Sequence, residues 1–316
     1  MSYGRRGVGH PIQFSQEQIA QIARTVRRTP EVMVKVSGGA KTIRGVLAHF
    51  QYIDRHGELE IELDYGERAR GADAAAKIVQ DWDLDLDAML DSLARRERGG
   101  RAQTKLVHDL ILSMPTGTPP TKLLAASRDF VREEFAVKHR YAMVLHTDQA
   151  HPHVHLVISA HDIDGGRLNI RKADLRRWRG QFARHLREHG VEANATPAQM
   201  RGRLSDYQRD AVYRTARRGE SRVELVREMC ALEAAKSATS RPLSGPGRIE
   251  QTAEAVQKDW LTTALTLEGQ GFDDLAAEVD RFLQTLKIPE SRKDEVMRVA
   301  TRERTDRRPK PPEITR

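Results

Sequence analysis

The chain has 316 residues, 39% of them hydrophobic and only 5% aromatic, with a formal net charge of +8. That allows one large domain or two ordinary ones, helix-rich and with much charged surface, and the basic balance favours a polyanionic partner. No run of about 18 apolar residues exists, which excludes a helical membrane span, and the single cysteine, Cys230, excludes an intrachain disulfide.

In chain order, Ser15 and Gln18 make a capping box for a helix over 16–28, ended by Pro30. Glu31 to Val36 reads as a strand and Ser37-Gly38-Gly39 as a turn. Thr42 caps a helix to about Arg55, closed by Gly57. Leu59 to Leu63 reads as an exposed strand, and 72–98 as two helices with Asp81, Asp83, Asp85 and Asp87 between them or at their starts. Lys105 to Met114 is a strand, followed by the loop Pro115 to Pro120 and an amphipathic helix over 121–137. Tyr141 to His146 and the run before Ala160 form a hairpin. Asp164-Gly165-Gly166 is a turn, Arg167 to Ile170 a short strand, and 172–188 a helix stopped by Gly190.

These patterns predict an α+β fold with a central antiparallel sheet flanked by helices, followed by an all-helical C-terminal region. The expected organisation is an N-terminal helical extension over 1–30, a domain over 31–195 and a helical region over 196–316. Residues 200–236 and 251–304 read as helical, with a linker from Ser240 to Gly247 and a disordered basic tail from Thr301. Cys230 reads as a small buried hydrophobe. The start, Met-Ser-Tyr-Gly-Arg-Arg-Gly, has no apolar signal region, and a cytoplasmic setting is expected.

Four of the twelve histidines fall in the ten residues His146-Thr-Asp-Gln-Ala-His-Pro-His-Val-His155. Neutral imidazole is a common ligand for divalent transition metals. His153 and His155 are two apart on a strand and share a face. If His146 pairs across the hairpin, all three converge, and a metal site follows from ligand type and spacing. A second constellation lies on the helix after Thr42. Gly45, Ala48, His49, Tyr52 and His56 share one face, and small residues beside Tyr52 leave room for a large ligand. A phenol is a weak nucleophile until a base or metal helps it. From spacing alone, Tyr52 reads as well as a packing residue. Lys41 and Arg44 stand at the helix start, where a phosphate could be received.

Taken together these stretches resemble the conjugative relaxases, a branch of the histidine–hydrophobic–histidine (HUH) endonuclease superfamily. The likeness is strongest to the group containing the border-cleaving endonuclease of T-DNA plasmids. It is carried by Val34-Lys-Val-Ser-Gly-Gly-Ala-Lys-Thr-Ile with His49-Phe-Gln-Tyr-Ile-Asp-Arg-His-Gly57, by Leu112-Ser-Met-Pro-Thr-Gly-Thr118, and by His146 to His155, over roughly residues 32–190. The resemblance implies a relaxase palm that cuts single-stranded DNA at an origin of transfer. It implies Tyr52 as nucleophile, His146, His153 and His155 as metal ligands, and Asp148 and His151 as catalytic neighbours. Which of those two assists is open, and His151 reads equally as a loop residue. A divalent ion is implied, Mg or Mn first, with Zn, Ni or Co also suited. Ser113 matches a DNA-contacting position and reads as well as a strand-end cap. Thr116 and Thr118 fall in the same motif.

Further DNA contacts are expected from the basic helix that starts at Arg171, with Lys172, Arg176, Arg177, Arg179, Arg184 and Arg187, while its Trp178 reads as core. Relaxosome accessory proteins and a type IV secretion coupling protein are implied partners, with export alongside DNA. The chain has no phosphate-binding Gly-x-x-x-x-Gly-Lys-Ser/Thr loop, so for a relaxase the resemblance implies that unwinding comes from another protein. Competing readings are a replication initiator or transposase of the same superfamily, a hydrolase using metal-bound hydroxide, and a non-catalytic metal-stabilised binding module.

Overall fold

A computed structural model describes residues 13–97, 104–202 and 248–286. Cys230, the Ser240–Gly247 segment, most of 200–236 and the tail from Thr301 lie outside them. The described residues fall in two units, 28–195 and the remainder.

The larger unit is built on one six-stranded sheet. Its strands are β1 (Met33–Ala40), β2 (Ile61–Leu63), β3 (Arg68–Ala69), β4 (Val107–Ser113), β5 (Tyr141–His146) and β6 (His153–Ser159). They are ordered β1-β4-β6-β5-β2-β3, and every pairing is antiparallel. Alternation along the strands gives each face its own core. On one face Leu110, Leu112, Val154, Leu156 and Ile158 pack under α5 (Pro120–Glu134) and α6 (Lys172–Glu188). There Trp178 is 1% exposed and belongs to the core, as its sequence context suggests. On the other face Val107, Val157, Ala142 and Val144 pack under α2 (Ile43–Ile53), α3 (Ala74–Asp81) and α4 (Leu84–Glu97).

Several local expectations change. Ser37-Gly38-Gly39 is not a turn: β1 runs through it to Ala40. The register jumps from Val36 opposite Leu110 to Gly38 opposite Asp109, leaving Ser37 as the extra residue of a β-bulge. Gly39 has φ +135, and a Cβ there would lie 2.3 Å from the Val107 carbonyl oxygen, so glycine serves strand contact rather than reversal. Ile61 and Leu63 are buried, not exposed, because β2 pairs with β5 on one side and with the unforeseen β3 on the other. Arg167 to Ile170 forms no strand beyond a single bridge from Arg167 to His161. The Arg167 guanidinium is held by Asp91 and the Lys105 carbonyl, while Leu168 and Ile170 tuck against the core.

In the smaller unit, α1 (Gln16–Val26) starts at the expected capping box, with Ser15 and Gln18 exchanging hydrogen bonds. It does not stand alone as an N-terminal extension. It packs with α7 (Arg248–Gly269) and α8 (Asp273–Thr285) around Trp260, Leu267, Val279 and Phe282. Arg27 grips Glu278 through two hydrogen bonds of 2.8 and 2.9 Å.

Gly39→Ala is expected to destabilise the sheet domain by about 2 kcal/mol or more, since it adds backbone strain and a clash with β4. Urea unfolding of wild type and variant checks this. Gly66→Ala, where an added Cβ meets nothing within 4 Å, should cost less.

Candidate metal centre and active site

The antiparallel register lays side chains out in rows across one sheet face. Met33, Ser113, His153 and His146 form one row over β1, β4, β6 and β5. Lys35, Ile111, His155 and Val144 form the next, and Asp109 and Val157 continue into the third. His146 and His153 are therefore a directly opposed pair, and His155 stands one step along the same face. Their ring centroids lie 4.7 to 5.3 Å apart, and one nitrogen from each falls within 4.8 Å of the others. All three residues are buried.

Each ring is held from behind. His153 Nδ1 donates to the His151 carbonyl at 3.1 Å. His155 Nδ1 donates to Asp109 Oδ1 at 3.4 Å, and His146 Nε2 donates to the Ile53 carbonyl at 2.6 Å. Carbonyls and carboxylates only accept, so these partners fix the tautomers. They leave His153 Nε2, His155 Nε2 and His146 Nδ1 as the remaining ring nitrogens, the last with Arg55 Nη2 3.4 Å away. Burial, the largest influence, lowers the pKa of His146 and of His153 from the ordinary imidazole value and favours the neutral, ligating form. Three buried imidazoles with oriented rings fit a divalent transition metal.

Asp109 supports this arrangement and was not singled out from sequence. It is 3% exposed. His49 Nε2 lies 3.3 Å from the oxygen that also faces His155, and the Ser37 hydroxyl of the bulge bonds to the other oxygen. Burial by itself would raise the Asp109 carboxyl. The contacts from His155, His49 and Ser37 together outweigh it and hold the group well below the usual carboxylate range. Its only sequence signal is an acid among the inward positions of an apolar strand.

Tyr52 stands on α2, which Thr42 caps by accepting from Gly45 N at 3.1 Å. Its ring meets His155 edge-on at 6.5 Å, and its side chain is open, 59% exposed. After α2 the chain turns through Arg55 and His56 at φ 55 and 58, a left-handed pair that side chains seldom adopt. This turn puts the Arg55 guanidinium 5.6 Å from the Tyr52 ring centroid and 2.7 Å from Asp148 Oδ2. Asp148 is thereby placed beside His146, 4.0 Å from its Nδ1. The His151 ring stays outside the triad, exposed, with Thr116 Oγ1 3.1 Å from its Nδ1. Ser113 donates to the Pro152 carbonyl at 3.2 Å, under the loop that leads into His153. Thr118 is half-buried in the same loop as Thr116, and Arg44 is exposed near the start of α2, next to Lys41.

The structure does not bring Arg171, Lys172 and Arg176 to the histidines. Their helix, α6, covers the opposite face of the sheet. Two of its other arginines are engaged by α5: Arg177 Nη2 binds Glu134 at 2.7 Å, and Arg184 binds Glu133.

Residues 65–191 match the family model described as Relaxase: MobA/VirD2-like, nuclease domain. The matched span holds the three histidines and begins after Tyr52. The chain is similar to T-DNA border endonuclease VirD2 of Rhizobium radiobacter, 26% identical over 54% of this chain and 43% of that protein. It is likewise similar to VirD2 of Rhizobium rhizogenes, 26% identical over 67% and 50%, and of Agrobacterium fabrum, 25% identical over 61% and 45%. The chain thus spans about half the length of these relatives. A solved chain titled "Molecular Basis of Vancomycin Resistance Transfer in Staphylococcus aureus" overlaps 53% of this chain and 99% of its own at TM-score 0.34 and 13% identity, too slight a likeness to build on. The likeness to the relaxase nuclease domain thus rests on residues 65–191 and on relatives about a quarter identical to this chain.

Asp109→Asn keeps the shape but removes the negative charge between the imidazoles and leaves the amide unable to accept from His155, His49 and Ser37 together. It is expected to weaken Mn or Zn binding about 10- to 100-fold with the circular dichroism unchanged. Calorimetric titration checks this.

Proposed function

We propose that this protein is a relaxase that nicks one strand of DNA at an origin of transfer, using Tyr52 as nucleophile, and later rejoins it. The observation that carries the reading is the open Tyr52 ring set edge-on against a buried three-histidine cluster.

In the proposed reaction, Tyr52 Oη attacks the scissile phosphorus. A bond forms between that oxygen and phosphorus, and the bond from phosphorus to the 3′ oxygen breaks. The phenol proton leaves to water, which reaches the exposed side chain, and the departing oxygen takes up a proton to become a 3′ hydroxyl. The product is a 5′-phosphotyrosine ester. No water is consumed, so a 3′ hydroxyl can reverse the step and reseal a strand. Arg55, beside the Tyr52 ring, adds positive charge where the phosphate arrives, and Asp148 holds that guanidinium in place. A divalent ion held by His146, His153 and His155, with Mn or Mg foremost, would neutralise charge on the non-bridging oxygens. His49 and Ser37 steady the ligand set through Asp109.

Ser113, Thr116, Thr118 and His151 are proposed to contact the strand near the cut. Lys41 and Arg44 are proposed to hold phosphates further out. Arg171, Lys172 and Arg176 could touch only DNA that passes to the far face. A covalent link at the 5′ end is what piloting a strand through a type IV secretion channel requires. Accessory relaxosome proteins and a coupling protein are the partners this reading asks for. No described helix is long and apolar enough to cross a membrane.

Tyr52→Phe is expected to abolish a heat- and detergent-stable adduct with single-stranded origin oligonucleotides, a loss of more than about a thousandfold, while metal binding stays near wild type. Denaturing gels read the adduct. Undiminished cleavage by the variant would point instead to hydrolysis by metal-bound hydroxide.

A further inference from the structure

The row arrangement leaves part of the histidine face uncovered. Val144, Val157 and Val107 on that face lie under helices, but Ile111 belongs to neither core of the domain and is only half-buried. Beside it on β1, Met33 is 48% exposed and Lys35 is also exposed. Lys35 makes no ion pair or hydrogen bond through its side chain among the described residues. Strands are spaced about 4.8 Å apart, so Met33 and Lys35, two strands from β6, stand about 10 Å from His153 and His155. Ile111 lies between Lys35 and His155, while Ser113, between Met33 and His153, is buried. An apolar strip flanked by an unpaired cation, continuous with the site, is chemically suited to a chain that alternates flat apolar rings with phosphates.

We propose that this strip is the track for the single DNA strand next to the scissile phosphate. Met33 and Ile111 lie against bases, and Lys35 takes a phosphate about one nucleotide from the cut. The proposal rests on the relaxase reading and adds where the substrate runs. It places the strand across β4 and the edge strand β1, on the face opposite α6, although α6 is the helix richest in arginine. Sequence tolerance follows, because an apolar platform accepts any base.

The test is fluorescence anisotropy of a labelled oligothymidylate about thirty nucleotides long, titrated with the full chain over a range of salt. Lys35→Ala is expected to weaken binding about three- to tenfold and to flatten the salt slope by about 0.7, the mark of one lost phosphate contact on a single strand. Met33→Ala should weaken binding about fivefold without changing the slope, and Met33→Trp should restore it, because an indole is a better platform. Lys138→Ala, beyond the end of β5 remote from His146, is the control and should leave both quantities unchanged. An unchanged slope in Lys35→Ala, or a Met33→Trp protein as weak as Met33→Ala, overturns the track. If wild type forms the Tyr52 adduct and the variants still bind as it does, only the track fails. If wild type neither binds the oligonucleotide at low salt nor forms an adduct, the nuclease reading fails and the track with it.

Discussion

The site depends on one constraint, the pairing register of β5 with β6. Because His146 lies directly opposite His153, two histidines from different strands share a row, and period-two alternation adds His155 on the same face. A slip of one residue would send His146 to the face covered by α5 and α6 while leaving the other two behind. The register is itself enforced by the cores. Leu145 and Val154 face one set of helices, Val144 and Val157 the other, so a slip would also expose apolar side chains on both faces. The chemistry of the cluster therefore draws its precision from ordinary hydrophobic packing.

Around that cluster, irregular backbone does the positioning. The bulge at Ser37 turns a hydroxyl toward Asp109, and Asp109 in turn faces His155 and His49. The left-handed turn at Arg55 and His56 ends the tyrosine's helix, presents the Ile53 carbonyl to His146 and swings Arg55 over Tyr52. Two successive side-chain-bearing residues in that region cost on the order of 1–3 kcal/mol each, a cost that burial of Phe50 and Ile53 at 0% exposure can offset. The strain at Arg55 and His56 and the buried carboxylate of Asp109 both sit where ligands must be aimed.

Much of this was legible in the sequence, for physical reasons. Period-two and period-3.6 patterns gave the hairpin, the long helices and an antiparallel α+β domain, and the histidine spacing gave the cluster. What escaped was information held by a partner elsewhere in the chain. Ser37-Gly38-Gly39 has turn composition, and nothing local says that the strand continues because Val107 approaches Gly39 closely. Two arginines of the basic run on α6, Arg177 and Arg184, meet Glu134 and Glu133 on α5, pairings that local sequence does not announce. Asp109 looked like one polar residue in an apolar strand. Only pairing shows that it lies between two histidines. The two-residue strand β3 is too short to leave a pattern.

In the proposed site His146, His153 and His155 together bind one metal ion facing Tyr52. X-ray absorption at the edge of a bound Mn or Zn ion, on the full chain, tests it most directly. Three imidazole nitrogens are expected, at about 2.0–2.1 Å for Zn, with loss of that signature in His153→Ala. An ion coordinated by oxygen alone, or a signature unchanged in His153→Ala, would contradict it.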